Sequence, residues 1–256
     1  MGSGSLNVWE RYDKKWTELS LKELENFARW MNKILGYDPT IIGGWAVYFY
    51  NPSGLGSRDI DVVIPTWEMK YRVIDNYLAN NGYEIRQKAF GVAEWIKYLD
   101  PKERTSETYL DVCTLQDKNF VHGQDLEVPW TVACERQKRI DVGGSQIYIP
   151  SPEALLIMKS KAAYDRNFDV VTGQGDDFKR DKVKKDRFDL ISLISTCEFD
   201  TAFLHELLKR FKFGQCFKEA LNAALDDQSV MVRFKFDKKK VAAIRKKAEI
   251  LVVIKE

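Results

Sequence analysis

The chain has 256 residues, 45% of them hydrophobic, enough to bury a core and to form one large domain or two modest ones. Its net charge of +2 is unevenly spread, with 22 Lys and Arg against 17 Asp and Glu from Ser151 onward and 18 against 21 before it. An acidic half beside a basic half suits a metal–carboxylate site facing an anionic substrate, and is matched equally by chance unevenness. No run of about 18 apolar residues offers a transmembrane helix, and the opening residues carry no signal core. Cys113, Cys134, Cys197 and Cys216 form no Cys-x-x-Cys pair, which argues against zinc and for reduced thiols in a cytoplasmic protein. The leading Met-Gly-Ser-Gly-Ser is set aside from the fold reasoning.

Ser20 and Glu23 have the spacing of a capping box, followed by Leu24, Phe27, Ala28, Met31 and Leu35 at helical period and Gly36 as a stop. Residues 39–42 predict a short buried strand, which Gly43-Gly44 turns into a helix from Trp45 to about Tyr50. A loop over 51–54 leads to a strand from about Arg58 to Ile64, rich in β-branched residues. A helix over 65–80 and strands over 83–88, 93–99 and 108–115 follow, with short extended pieces at 132–134, 139–142 and 146–149. Ser151-Pro152 then opens a helical half, with helices expected at 153–164, 182–195, 201–211, 216–225 and 238–252. The charged, glycine-bearing stretch 167–181 predicts a mobile loop. The fold class expected is α/β (α+β), a mixed-sheet domain over 6–150 and a helical domain over 151–256.

The chemistry is concentrated between Ile41 and Ile64. Side chains alternate along a strand, so Asp59 and Asp61 point to one face. Paired carboxylates repel unless a cation joins them, and a hard ion such as Mg²⁺ accepts such oxygens. Asp111, inside a predicted strand with apolar neighbours, supplies a third carboxylate that folding explains poorly, since unpaired buried charge is expensive.

Gly43-Gly44, Ser57-Arg58-Asp59-Ile60-Asp61 and Asp111 together resemble the nucleotidyltransferase superfamily that shares the DNA polymerase β fold. Residues 152–159 (PEALLIMK) and 185–190 (KDRFDL) resemble the helical motifs of its toxin-type, AbiEii-like branch. Leu55 stands where many relatives carry a basic residue, and Gly-Gly where some carry Gly-Ser. The resemblance implies Mg²⁺ (or Mn²⁺) on Asp59, Asp61 and Asp111, with Asp111 also activating the acceptor hydroxyl. It implies phosphate contacts from Gly43, Gly44, Ser57, Lys159 and, more weakly, Lys185 and Arg187. The implied reaction moves a nucleoside monophosphate from an NTP, such as ATP, to an acceptor hydroxyl, with pyrophosphate leaving. The acceptor is tRNA or another RNA end, a protein side chain, or a small hydroxylated molecule such as an aminoglycoside.

Two rivals stay open: a non-catalytic nucleotide-binding module of the same fold, and the toxin half of a toxin–antitoxin pair with a cognate antitoxin as partner. Blander readings also stand beside the sharp ones. Gly43-Gly44 is also a strand-to-helix turn, Asp111 a salt-bridge partner, and Lys159 and Lys185 a solvated helix face. The run Lys238–Lys240 with Arg245–Lys247 is a solvated face or an RNA-phosphate contact. His122 and His205 have no ligand spacing and receive no role.

Overall fold

A computed structural model describes residues 9–89, 92–103 and 106–253; the leading five residues lie outside these. The chain forms two compact units. One takes the chain up to Asp117 and again Arg136–Pro150; the other takes Lys118–Glu135 and everything from Ser151.

The first unit is a seven-stranded mixed sheet with helices. It opens with helix α1 (Lys14–Leu35), then β1 (Thr40–Ile42), α2 (Gly43–Tyr50) and β2 (Ile60–Ile64). A π-helical stretch, Met69–Ile74, runs into α3 (Asp75–Asn80). Strands β3 (Glu84–Ala89), β4 (Val92–Tyr98), β5 (Glu107–Thr114), β6 (Lys138–Val142) and β7 (Ser145–Ile149) complete the unit. The strand order is β3-β4-β5-β2-β1-β7-β6. β2–β5 and β1–β7 pair parallel and the other neighbours antiparallel. The central strands are apolar because both faces are covered: Ile41, Ile60, Val62, Val63 and Ile64 are buried, as are Leu24, Phe27, Ala28 and Met31 of α1.

The capping box misplaces the start of α1. The helix begins six residues earlier than Ser20, at Lys14, with the Asp13 carboxylate accepting from the Lys15 amide. Ser20 is buried inside the helix, and its hydroxyl donates to the Arg58 carbonyl at 2.6 Å. Glu23 pairs with Lys97 at 2.8 Å instead of reaching back to a cap. Gly36 ends the helix as expected, in the left-handed conformation at φ 61°.

The second unit is helical: α4 (Pro152–Val171), α5 (Asp177–Thr196), α6 (Thr201–Arg210), α7 (Gly214–Asp226), α8 (Gln228–Phe234) and α9 (Lys238–Val252). The loop expected over 167–181 is helical at both ends, leaving only 172–176 between α4 and α5. Asp169 is buried there and accepts from Lys179 at 2.8 Å, so the charges that suggested solvent are partners of one another. Residues 132–134, expected to be extended, lie in a 3-10 helix (Trp130–Cys134). The unit also claims Lys118–Glu135, upstream of the break expected at Pro150. That segment buries Val121, Val128, Val132 and Ala133, while Lys161 of α4 donates to the Asn119 side chain at 2.6 Å. Among the described residues no helix is long and apolar enough to cross a membrane.

Candidate active site

Asp61 and Asp111 occupy the middle of the first unit's sheet, and Asp59 stands just ahead of β2. In the parallel pair β2–β5, Asp61 and Asp111 are direct register partners, as are Ile60 and Leu110 before them. Register partners on neighbouring strands share a face and stand about 4.8 Å apart along the hydrogen-bonding direction. Asp59 enters two residues before Asp61, just ahead of the strand. Asp59 and Asp61 are half-buried and Asp111 is exposed. Exposed Asp111 is therefore not a buried unpaired charge as expected; its place opposite Asp61 is what marks it.

The approach to Asp59 is fixed by the residue before it. Arg58 is buried, its carbonyl accepts from Ser20 of α1 and from the Thr108 hydroxyl of β5, and its guanidinium donates to the Glu107 carbonyl. Burial lowers its pKa, with Asp59 and Glu107 acting in the opposite direction. The buried Ser57 hydroxyl donates to the Asp59 carbonyl at 3.0 Å, so its proton serves its own loop.

Gly43 closes on the same carboxylate. On the antiparallel side of β2, Asp61 is the register partner of Ile42, and Gly43 follows at once. Gly43 has φ +66°, and a Cβ there would lie 1.8 Å from Asp61 Oδ2. Glycine is thus required twice over, by its backbone angle and by the carboxylate against it. Gly44 is buried in the first turn of α2, a helix whose N-terminus has no side-chain cap and no acidic residue in its first turn. The Asp61 carboxylate stands beside that N-terminus, where opening N–H groups favour negative charge.

The field around the pair is negative. Cys113, two residues beyond Asp111, has its thiol pushed up to about 12 by burial and by Asp61, with Asp111 and Asp117 adding to it against Lys70. Among the described residues no group of three or more His, Cys, Asp or Glu is gathered to hold a metal ion. The set near Gly43 is two carboxylates in register and a third two residues upstream.

Lys159 and Lys185, expected at phosphate, lie in the second unit among acids. Lys159, with a side chain 10% exposed, meets Asp189 at 2.7 Å and Asp186 at 3.3 Å. Lys185, 5% exposed, pairs with Asp189, and Arg166 pairs with Asp186. Burial lowers the Lys185 pKa against Asp189; burial alone would raise Asp186, but Arg166 and Lys159 hold it below the usual carboxylate range. Arg187 donates to Asp227 at 2.8 Å and to Asn167 at 2.9 Å. These contacts tie α4, α5 and the start of α8 together.

Spacing gave no sign of a second polar cluster. The His122 ring, 49% exposed, is 2.9 Å from Asp169, and its backbone N–H donates to Asp165 at 3.0 Å. Lys179 and Lys161 complete the pairs with Asp169 and Asp165. His122 is 47 residues from Asp169, and only the packing of Lys118–Glu135 on α4 joins them.

No family model matches the chain, and no curated protein matches it. Among solved structures, the chain is similar to an antigenic nucleotidyltransferase-like protein from Paracoccidioides brasiliensis. The TM-score is 0.44 at 18% identity, over 81% of this chain and 94% of that one. At that overlap the likeness assigns no residue a role.

Proposed function

We propose that the protein is a divalent-metal-dependent nucleotidyltransferase that moves a nucleoside monophosphate from an NTP to an acceptor hydroxyl. The observation that carries this reading is the register pairing of Asp61 with Asp111 on adjacent parallel strands, with Gly43 seated against the Asp61 carboxylate. Folding does not ask for two carboxylates side by side at the centre of a sheet, because like charges directly opposite destabilise a strand pair.

The donors are all hard carboxylate oxygens and so fit Mg²⁺ or Mn²⁺. Asp61 and Asp111 would hold the ion, and Asp59 would have to close on them to serve as a third ligand. Bound there, the ion supplies Lewis-acid charge toward the phosphates and the attacking oxygen. The N–H groups that open α2 at Gly43 and Gly44 bind phosphate oxygens. Exposed Asp111 takes the proton of the acceptor hydroxyl as its oxygen attacks the α-phosphorus. The bond from that phosphorus to the bridging oxygen breaks, and pyrophosphate leaves. Ser57 and Arg58 hold Asp59 in position. A phosphate role for Lys159 or Lys185 would require their pairs with Asp186 and Asp189 to open, so both are assigned to holding α4 on α5.

The test is incubation of the full chain with each α-labelled NTP, with Mg²⁺ or with chelator, in the presence of total RNA, protein or small hydroxylated acceptors. Labelled product that depends on metal and is lost in Asp61→Asn is expected. NTP binding without any product would instead favour a non-catalytic nucleotide-binding module. No binding of any NTP would end the reading.

A further inference from the structure

The surface formed by the end of α8 and the start of α9 carries a feature that the transfer reaction does not use. From Arg233 to Lys247 the sequence holds eight Lys and Arg and one acid, Asp237. The Asp237 carboxylate is engaged in capping α9, accepting from the Lys240 amide at 2.7 Å. Arg245 pairs with Asp226, and Lys247 with Glu198. Among the described residues no carboxylate pairs with Lys235, Lys238, Lys239 or Lys246, and all four are exposed.

Two observations separate this patch from an ordinary solvated helix face. The first is charge order. Lys238, Lys239 and Lys240 occupy the first turn of α9, where the helix dipole is positive; that turn has no acid, and the last turn has no base. Helix stability prefers the reverse on both counts. The second is a ladder of three aromatic rings beneath the cations. Phe188 stacks on Phe234 at 4.2 Å between centroids and 10° between planes, and Phe234 on Phe236 at 4.8 Å and 18°. Lys235, in left-handed conformation at φ 52°, turns the chain between the last two rings. Phe188 is buried, whereas Phe234 and Phe236 are half-buried, so the ladder rises from the core to the surface. Its outer ring faces Lys240, whose Nζ is 5.8 Å from the Phe236 centroid.

We infer that this surface binds single-stranded nucleic acid, with a base displacing the Lys240 ammonium to stack at Phe236 and the flanking phosphates on Lys235, Lys238, Lys239 and Lys240. Near-parallel rings ending half-exposed among unpaired cations combine the two elements of sequence-tolerant strand binding, a stacking platform and a phosphate track. An acidic protein or an anionic lipid surface would use the cations but not the ring planes. The inference is independent of the nucleotidyl-transfer reading and is tested by binding alone.

The experiment is fluorescence anisotropy of end-labelled oligouridylate and oligothymidylate with the full chain, titrated at several salt concentrations. Heparin and phosphatidylserine vesicles serve as polyanions without bases. Wild type should bind the oligomers with an affinity that falls as salt rises; RNA and DNA arms of equal strength would indicate no contact with the 2′-hydroxyl. Lys238→Glu with Lys239→Glu should weaken binding at least about tenfold and flatten the log–log salt slope by about 1.4, near 0.7 per lost contact. The same pair should not lower the melting temperature, since glutamates in a first turn complement the dipole. Phe236→Leu should weaken binding about tenfold and leave the salt slope unchanged. If the double reversal does not fold, Lys239→Gln carries the test, with a loss of about threefold expected. Binding unchanged in the lysine variants overturns the inference. So does an unaffected Phe236→Leu with heparin or vesicles bound as tightly as the oligomers, which would mark a general polyanion surface.

Discussion

Replacing Gly43 by alanine tests the contact at the centre of the candidate site. Two costs add. Alanine at φ +66° is strained by about 1–2 kcal/mol. Its methyl would stand 1.8 Å from Asp61 Oδ2 and 2.6 Å from Asp61 Cγ, so the carboxylate must move, an overpacking cost of about 1–3 kcal/mol. Gly43→Ala alone should therefore lose about 2–5 kcal/mol. In an Asp61→Ala background the Oδ2 and Cγ atoms are gone and only the Asp61 Cβ, 3.0 Å away, remains. There the same change should cost little more than the backbone strain, giving a coupling of about 1–3 kcal/mol between the positions. The assay is urea denaturation followed by tryptophan fluorescence, which reports mainly on the first unit because six of the seven tryptophans lie in it. Equal costs in both backgrounds, to within about 0.5 kcal/mol, would mean that Asp61 does not lie against Gly43.

Other outcomes follow from the same geometry. Asp61→Asn and Asp111→Asn should each lower NMP transfer by about two orders of magnitude or more while leaving the denaturation midpoint unchanged or slightly raised, read by label incorporation and urea titration. Lys159→Ala should destabilise the second unit by about 3–5 kcal/mol, because Asp186 and Asp189 lose a buried partner; a change below about 0.5 kcal/mol would place Lys159 at the surface. Cys113 should resist iodoacetamide at pH 8, where a thiol pushed up to about 12 is roughly one part in ten thousand thiolate, while exposed Cys134 is labelled; peptide mass mapping reads both. Asp186 is held below its ordinary pKa, so the unfolded chain binds the extra proton. Stability should be full above the ordinary aspartate range and decline as pH falls through the lowered folded value, measured by thermal melts across acid pH.

Signals that lie within a few residues of one another read well. Gly36 as a helix stop, the β-branched strand after Asp59 and the Ser151-Pro152 helix start depend on local backbone chemistry, and the structure has each. The Ser20–Glu23 pair misled because the same spacing recurs inside helices, and only the Arg58 carbonyl 38 residues away explains the serine. The stretch 167–181 resembles a loop in sequence because its charges look solvated, yet Asp169 answers to Lys179 and to distant His122. At the candidate site, Asp-x-Asp puts Asp61 in β2 and leaves Asp59 just ahead of the strand, where alternation no longer fixes its face. That Asp111 stands opposite Asp61, and that Gly43 touches it, depends on strand register across fifty positions, which periodicity does not encode. The lysines of α4 and α5 show the same limit, since a basic run looks identical in sequence whether its charges meet solvent or buried aspartates.

The segment Lys118–Glu135 leaves the sheet after β5 and the chain returns to it for β6 and β7, although the segment itself packs with the helical unit. During synthesis it emerges before α4, the helix whose Lys161, Asp165 and Asp169 it meets, so Val121, Val128, Val132 and Ala133 leave the ribosome ahead of that partner. A fragment cut at Pro150 would strand that apolar surface on the first piece and strip α4 of its cover on the second. Neither half is then a natural expression unit. A separable helical piece would need Lys118–Glu135 grafted ahead of Ser151, and a separable sheet piece would need a crossover linker from Asp117 to Arg136, because β6 runs parallel to β5 with β2, β1 and β7 between them.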